Sequence, residues 1–145
     1  MVEIRLAQRE HLPLIAEIEN QSFASPWTEQ GLKLFLRDNA FAVCCFEDEV
    51  LVSYCTVITV LDEAQIANVA TAPSYRRKGY AKLVIEAVLK ESQKRGMHVV
   101  TLEVRESNQP AINLYESFGF GVEGIRKNFY TKPTENAFVM VNYLD

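Results

Sequence analysis

One stretch limits what this chain can fold into more than any other. Residues 65–71 read as a β-strand stopped by Pro73. Residues 79–95 then read as a helix. Tyr80, Leu83, Val84, Ala87 and Val88 fall on its apolar face, and Lys82, Glu86, Lys90 and Lys94 on its polar face. Gly96 supplies the stop, because glycine accepts the left-handed backbone that ends helices. Residues 98–105 read as the next strand. Residues 108–118 read as a short helix, with Pro110 in its first turn and Gly119 past its end. A strand-helix-strand-helix unit therefore sits in the middle of the chain.

The flanks are different. Residues 2–6 alternate as a short strand, and residues 11–23 carry Leu12, Ile15, Ile18 and Phe23 at helical spacing. Pro26 and Trp27 break the chain. Thr28 then reads as the N-cap of a second helix with the stripe Leu32, Phe35 and Leu36. Residues 41–46 and 50–61 read as strands joined by a turn at Glu47, Asp48 and Glu49. Two more strands, near 120–130 and 136–144, finish the sequence. The order β-α-α-β-β-β-α-β-α-β-β places hairpins on either side of the central unit. This predicts an α/β (α+β) fold, a mixed sheet covered by helices, in one domain over residues 1–145.

Hydrophobic residues make up 48% of the 145, enough for one good core. The formal net charge of −4 excludes a general nucleic-acid binder, which needs a basic surplus to neutralise phosphates. It suits a cationic amine or peptide instead. Cys44, Cys45 and Cys55 lie in apolar strand-like runs without metal-ligand spacing. They read as buried free thiols of a reducing cytoplasm, and no metal is expected. No apolar run reaches membrane-spanning length, and residues near the start lack a secretory pattern.

The strand at 65–71 leads through Ala72, Pro73, Ser74 and Tyr75 into Arg76, Arg77, Lys78, Gly79, Tyr80, Ala81 and Lys82. Backbone N–H groups at a helix start have no intrahelical partner, and the helix dipole makes them mildly positive. They form an anion site. Gly79 removes a Cβ, so a ligand can approach the backbone closely. The basic residues add attraction for a pyrophosphate. A basic loop capping an ordinary helix would look the same.

The spacing Arg76-x-x-Gly79-x-Ala81, between a strand and a helix, resembles the coenzyme A signature of the GNAT N-acetyltransferase superfamily. A Walker motif and a dinucleotide fingerprint are both absent. Asn68-Val69-Ala70, Leu102-Glu103-Val104-Arg105, Ser107-Asn108, Leu114-Tyr115-Glu116 and Gly119-Phe120 are similar to the bacterial branch that acetylates the N-terminal alanine of a small-subunit ribosomal protein. So are Pro26-Trp27-Thr28 and the segment from Arg126 to Tyr130. The resemblance implies the GNAT fold, a mixed and mostly antiparallel sheet of about seven strands with about four helices. It implies acetyl-CoA as cosubstrate. Backbone groups of Val69, Ala70 and Thr71 would pair with the pantetheine arm, and Arg76, Arg77, Lys78, Gly79, Tyr80, Ala81 and Lys82 would hold the pyrophosphate. Ala81 stands where a second glycine is usual, and Thr71 where valine is frequent.

Acetyl transfer to an amine requires proton removal, carbonyl polarisation, protonation of the leaving thiolate and alignment. Glu103 alternates with Leu102 and Val104 in a strand, where burial would raise a carboxyl pKa toward that of a useful base. A surface ion pair fits the same pattern. The resemblance makes Glu103 the general base. It makes Tyr115, which by pattern alone is equally a packing residue, the acid that protonates the departing sulfur. Asn108 fits a helix N-cap, and the resemblance adds a bond to the cofactor. Asp62, Glu63 and Tyr130 are substrate-side candidates; for the two acids a solvated hairpin end is an equal reading.

A free α-amine has a pKa near ~8 against ~10.4 for lysine, so one weak base suits an N-terminus better than a lysine. The expected partner is the N-terminal peptide of a ribosomal protein, with no nucleic acid or membrane, for a monomer or weak oligomer. Two other readings stay open here: acetylation of a small-molecule amine, and a non-catalytic coenzyme A-binding module.

Overall fold

The structure is a computed structural model that describes residues 1–144. The elements follow as β1 (Val2–Leu6), α1 (Leu12–Ser22), α2 (Glu29–Leu32), β2 (Ala40–Glu47), β3 (Val50–Val60), β4 (Glu63–Thr71), α3 (Tyr80–Lys94), β5 (Val99–Arg105), α4 (Gln109–Ser117), β6 (Gly121–Tyr130) and β7 (Glu135–Tyr143). The predicted order holds. The strands form one seven-stranded sheet in the order β1-β2-β3-β4-β5-β7-β6. Only β4 and β5 run parallel, as the helical crossover α3 between them requires. This is the mixed, mostly antiparallel seven-stranded sheet that the resemblance implies.

The sheet has apolar layers on both faces. Phe41, Val43 and Cys45 of β2 face Val84, Ile85 and Val88 of α3, while Ala42, Cys44 and Phe46 face Leu12 and Ile15 of α1. Because both faces are covered, β2 is buried almost throughout and reads as an unbroken apolar run. β6 is the opposite case, an edge strand exposed along nearly its whole length. All three cysteines are buried free thiols. Among the described residues no helix is long and apolar enough to cross a membrane.

Local chemistry explains the boundaries. The Thr28 hydroxyl accepts from the Gly31 N–H at 3.0 Å, which starts α2 as expected. The helix then tightens into a 3₁₀ turn over Lys33–Leu36. Its i+3 repeat leaves Leu36 exposed, against the predicted stripe, while Leu32 and Phe35 are buried. In α3 the buried stripe is Tyr80, Val84, Ile85, Val88 and Ser92, and Leu83 is exposed. The apolar face is thus turned by about one residue from the sequence reading. Gly96 and Gly119, with φ of +83° and +97°, end α3 and α4.

Candidate active site

The β4–β5 ladder is short. Glu63, Ala64 and Gln65 pair with Val99, Val100 and Thr101, and pairing stops there. On its other side β4 carries a bulge: Thr56 of β3 lies opposite Asn68 and Val57 opposite Ile66, so Ala67 is the extra residue. A bulge bends its strand and strengthens the local twist, which carries the rest of β4 away from β5. Val69, Ala70 and Thr71 therefore stand beyond the point where the sheet opens.

β4 then runs into the start of α3. No side chain caps this helix. Gly79 has φ of +87°, and a Cβ added there would meet nothing within 4 Å, so its surroundings are open space. Arg77 is also left-handed, with φ of +65°. The Arg76 Nε donates to the Thr71 carbonyl at 3.1 Å, tying the loop to the strand end. The Lys78 ammonium lies 5.5 Å from the centre of the Tyr75 ring. A groove of about 310 Å³ opens here, lined by Thr71, Arg76, Arg77, Gly79, Ala81 and Lys82, and on its far wall by Pro110, Ala111 and Leu114 of α4. The motifs on α4 gave roles to Asn108 and Tyr115 but none in this groove to Pro110, Ala111 and Leu114. The Tyr80 side chain belongs to the buried core, although the residue also borders this groove.

Glu103 lies on the β5 face opposite the buried Leu102 and Val104, beside Thr101 and Arg105. Its carboxylate is half-buried and makes no hydrogen bond or ion pair among the described residues. Tyr115, on α4, is buried and meets Phe120 edge-on at 5.8 Å. Burial, then the neighbouring Cys55 and Tyr130, push its phenol above the ordinary range. Its hydroxyl makes no hydrogen bond among the described residues, yet it is not sealed from solvent. Tyr130 closes the group. Burial and then the Glu103 carboxylate raise its phenol, and the Arg105 guanidinium, 4.4 Å from its ring centre, opposes them. Tyr130 is thus the shared electrostatic neighbour: it acts on Tyr115 and is acted on by Glu103.

Arg105 also fastens the β6–β7 turn. It donates to the Pro133 and Thr131 carbonyls at 3.0 and 3.1 Å and to Glu135 at 3.2 Å. Glu135 in turn accepts from the Ser107 N–H at 2.7 Å. The Ser107 bonds are the main reason its carboxyl sits below the usual range. The Asn108 side chain accepts from the Ala111 N–H at 3.2 Å, so the N-cap reading holds. Asp62 and Glu63 lie elsewhere, at the paired end of the β4–β5 ladder. The Asp62 carbonyl accepts from the His98 N–H at 2.8 Å. Glu63 accepts from Gln65 at 2.7 Å and Thr101 at 3.3 Å. Glu63 pairs with Val99, four positions before Glu103 on the same face, so it stands about 13 Å down the strand, with its carboxylate reaching back to Thr101.

A parallel strand pair that splits beside an uncapped, basic helix start gives this α/β protein an open groove at one end of its sheet. Comparison with known proteins makes the class specific. Residues 12–120 match the Acetyltransferase (GNAT) family. The [ribosomal protein bS18]-alanine N-acetyltransferase of Haemophilus influenzae is 37% identical over 88% of this chain and 89% of its own length. Its counterpart from Escherichia coli K12 is 35% identical over 89% of this chain and 88% of its own. The crystal structure of the ribosomal-protein-S18-alanine N-acetyltransferase from Escherichia coli superposes with a TM-score of 0.92 at 33% identity, covering 100% of this chain and 95% of that one. The chain belongs to the GNAT family and is an acetyltransferase.

Proposed function

We propose that this protein transfers the acetyl group of acetyl-CoA to the α-amine of an N-terminal alanine, with the bS18-type ribosomal protein as its substrate. One observation carries the cosubstrate reading: the sheet opens past Gln65 directly beside the open, uncapped start of α3. A ligand held by its phosphates at that start has a path between the strands toward Glu103. The alanine acceptor is supported by the relatives, whose names give that substrate.

Acetyl-CoA supplies an activated thioester; the chain supplies anchoring and proton handling. Backbone N–H groups at residues 77–82 and the cations Arg76, Arg77, Lys78 and Lys82 hold the pyrophosphate. Val69, Ala70 and Thr71 offer β4 backbone groups to the pantetheine arm, and Asn108 reaches the same ligand from the start of α4. Glu103 takes the proton of the incoming ammonium, directly or through one water. About a tenth of an α-amine of pKa ~8 is neutral at pH 7, so this is a modest task.

Tyr115 gives its proton to the departing sulfur. The raised phenol pKa keeps that proton in place at neutral pH, at the cost of a harder transfer. The same burial disfavours a free thiolate, so the acceptor's proton affinity rises alongside the donor's. Tyr130, beside Arg105 and in the field of Glu103, forms the acceptor side, and Asp62 and Glu63 would meet the substrate only further along the peptide, at the paired end of the β4–β5 ladder.

The test is direct. Acetyl-CoA is incubated with a peptide beginning in alanine, and the products are mapped by fragmentation mass spectrometry. Acetyl on the α-amine is the expected result; acetylation confined to small amines such as polyamines would sink the peptide reading.

A further inference from the structure

Glu19 has no place in the chemistry above, yet it is the most constrained acid in the molecule. It lies on α1, completely buried, and forms no ion pair among the described residues. A buried carboxylate without a cation is costly unless hydrogen bonds hold it. Three neighbours do so. The Trp27 N–H donates to Oε1 at 2.9 Å, and the Tyr54 hydroxyl donates to Oε2. The Asn68 amide donates to both oxygens, at 3.1 and 2.8 Å. Every partner donates as it is oriented, and a carboxylate, which only accepts, satisfies all of them at once. Glutamine has the same shape but would turn an NH₂ toward donors.

Asn68 is the informative partner. It follows Ala67, the bulged residue, and its backbone is held as well. Its N–H donates to the Thr56 hydroxyl at 3.0 Å, and that hydroxyl donates to the Asn68 carbonyl at 3.3 Å. The bulge shifts the facing of β4 by one residue. Before it Ala64 and Ile66 join the α3 layer; after it Val69 joins that layer and Ala70 the α1 layer. Had the strand run without the bulge, the faces of residues 69–71 would be exchanged.

We infer that Glu19 is a positioning residue for acetyl-CoA: by clamping the Asn68 amide it holds the Ala67 bulge, and so sets the direction in which Val69–Thr71 leave the sheet. The inference rests on the reading that these three residues receive the pantetheine arm. It makes Glu19 remote from the reacting atoms and decisive for the seat they occupy. Tyr54 shares the Glu19 carboxylate through its hydroxyl and pairs with Ala70 through its backbone, which Tyr54→Phe leaves in place, so loss of that hydroxyl alone provides an internal control.

The experiment compares Glu19→Gln, Asn68→Ala and Tyr54→Phe in the full-length protein. Acetyl-CoA affinity is measured by calorimetry, and folding by circular dichroism with Tm. Glu19→Gln and Asn68→Ala are expected to weaken acetyl-CoA by at least about tenfold, with the double variant no worse than either alone. Tyr54→Phe is expected to stay within about twofold at a comparable loss of Tm. If Glu19→Gln does not fold, Asn68→Ala against Tyr54→Phe still decides. Wild-type affinity in Asn68→Ala, or affinity losses that follow Tm across all three variants, overturns the inference. A wild type that binds acetyl-CoA but leaves the alanine peptide unmodified refutes the substrate reading alone. A wild type that does not bind acetyl-CoA refutes the cofactor reading and this inference with it.

Discussion

Replacing Tyr115 with phenylalanine separates chemistry from packing. The ring is buried against Phe120, and phenylalanine keeps that contact. The hydroxyl has no hydrogen bond to lose among the described residues, so the stability change is expected below about 1 kcal/mol. In a chain of this size that is a Tm shift of at most roughly 4 °C. Acetyl-CoA affinity is expected to be nearly unchanged, because Tyr115 does not line the phosphate groove. Turnover is another matter. Loss of a general acid costs on the order of 10²–10⁴ in rate, about 3–5 kcal/mol of barrier. The assay is initial-rate thiol release with the alanine peptide, with KM values for both substrates and a parallel thermal melt. The expected pattern is a fall in kcat with little change in KM for acetyl-CoA or in Tm. A kcat within about threefold of wild type would show that the phenol only packs.

Glu103→Gln is expected to lose about 10²-fold or more at pH 7 and to recover about tenfold as pH rises to 9, because the neutral fraction of an α-amine of pKa ~8 grows from about one-eleventh to ten-elevenths. A flat pH–rate profile for this variant would count against Glu103 as the base. Gly79→Val is expected to fold but bind acetyl-CoA more than about tenfold less well, since the left-handed backbone costs about 1–2 kcal/mol for a side-chain-bearing residue and the new bulk enters the groove; isothermal calorimetry reads it. Burial pushes the Cys44 thiol up to about 12 and raises Cys45 and Cys55 as well. All three thus stay protonated at pH 8, and iodoacetamide is expected to modify none of them in the folded protein and all three after denaturation. Rapid labelling of the native chain would contradict their burial.

Punctuation made much of this fold readable. Gly79, Gly96, Pro110, Gly119 and the Thr28 cap each carry a local signal that the structure satisfies in place. Features set by tertiary contact were not readable. The 3₁₀ tail of α2 exposes Leu36 because the chain must turn into β2, and no residue there announces it. The one-residue rotation of α3 follows from packing on β2 and β3, which the helix's own periodicity cannot specify. The bulge at Ala67 lacks the glycine that often marks one.

In the site, the basic loop was legible because anion binding at a helix start uses adjacent residues. The α4 wall of the groove and the Arg105–Glu135 bridge join residues distant in sequence, and so left no pattern. Glu19 did leave a trace. It falls seven positions after Leu12 and four after Ile15, squarely on the apolar stripe of α1, where an unpaired acid has no business unless the fold supplies donors.

The account turns on which amine accepts the acetyl group. The most direct measurement offers the enzyme one peptide that begins with alanine and contains an internal lysine, with acetyl-CoA, at pH 7. Fragmentation mass spectrometry then locates the product. The account predicts acetyl on the alanine α-amine, with the lysine unmodified. Acetylation of the lysine with a free N-terminus, or no transfer by a protein that binds acetyl-CoA, would contradict it.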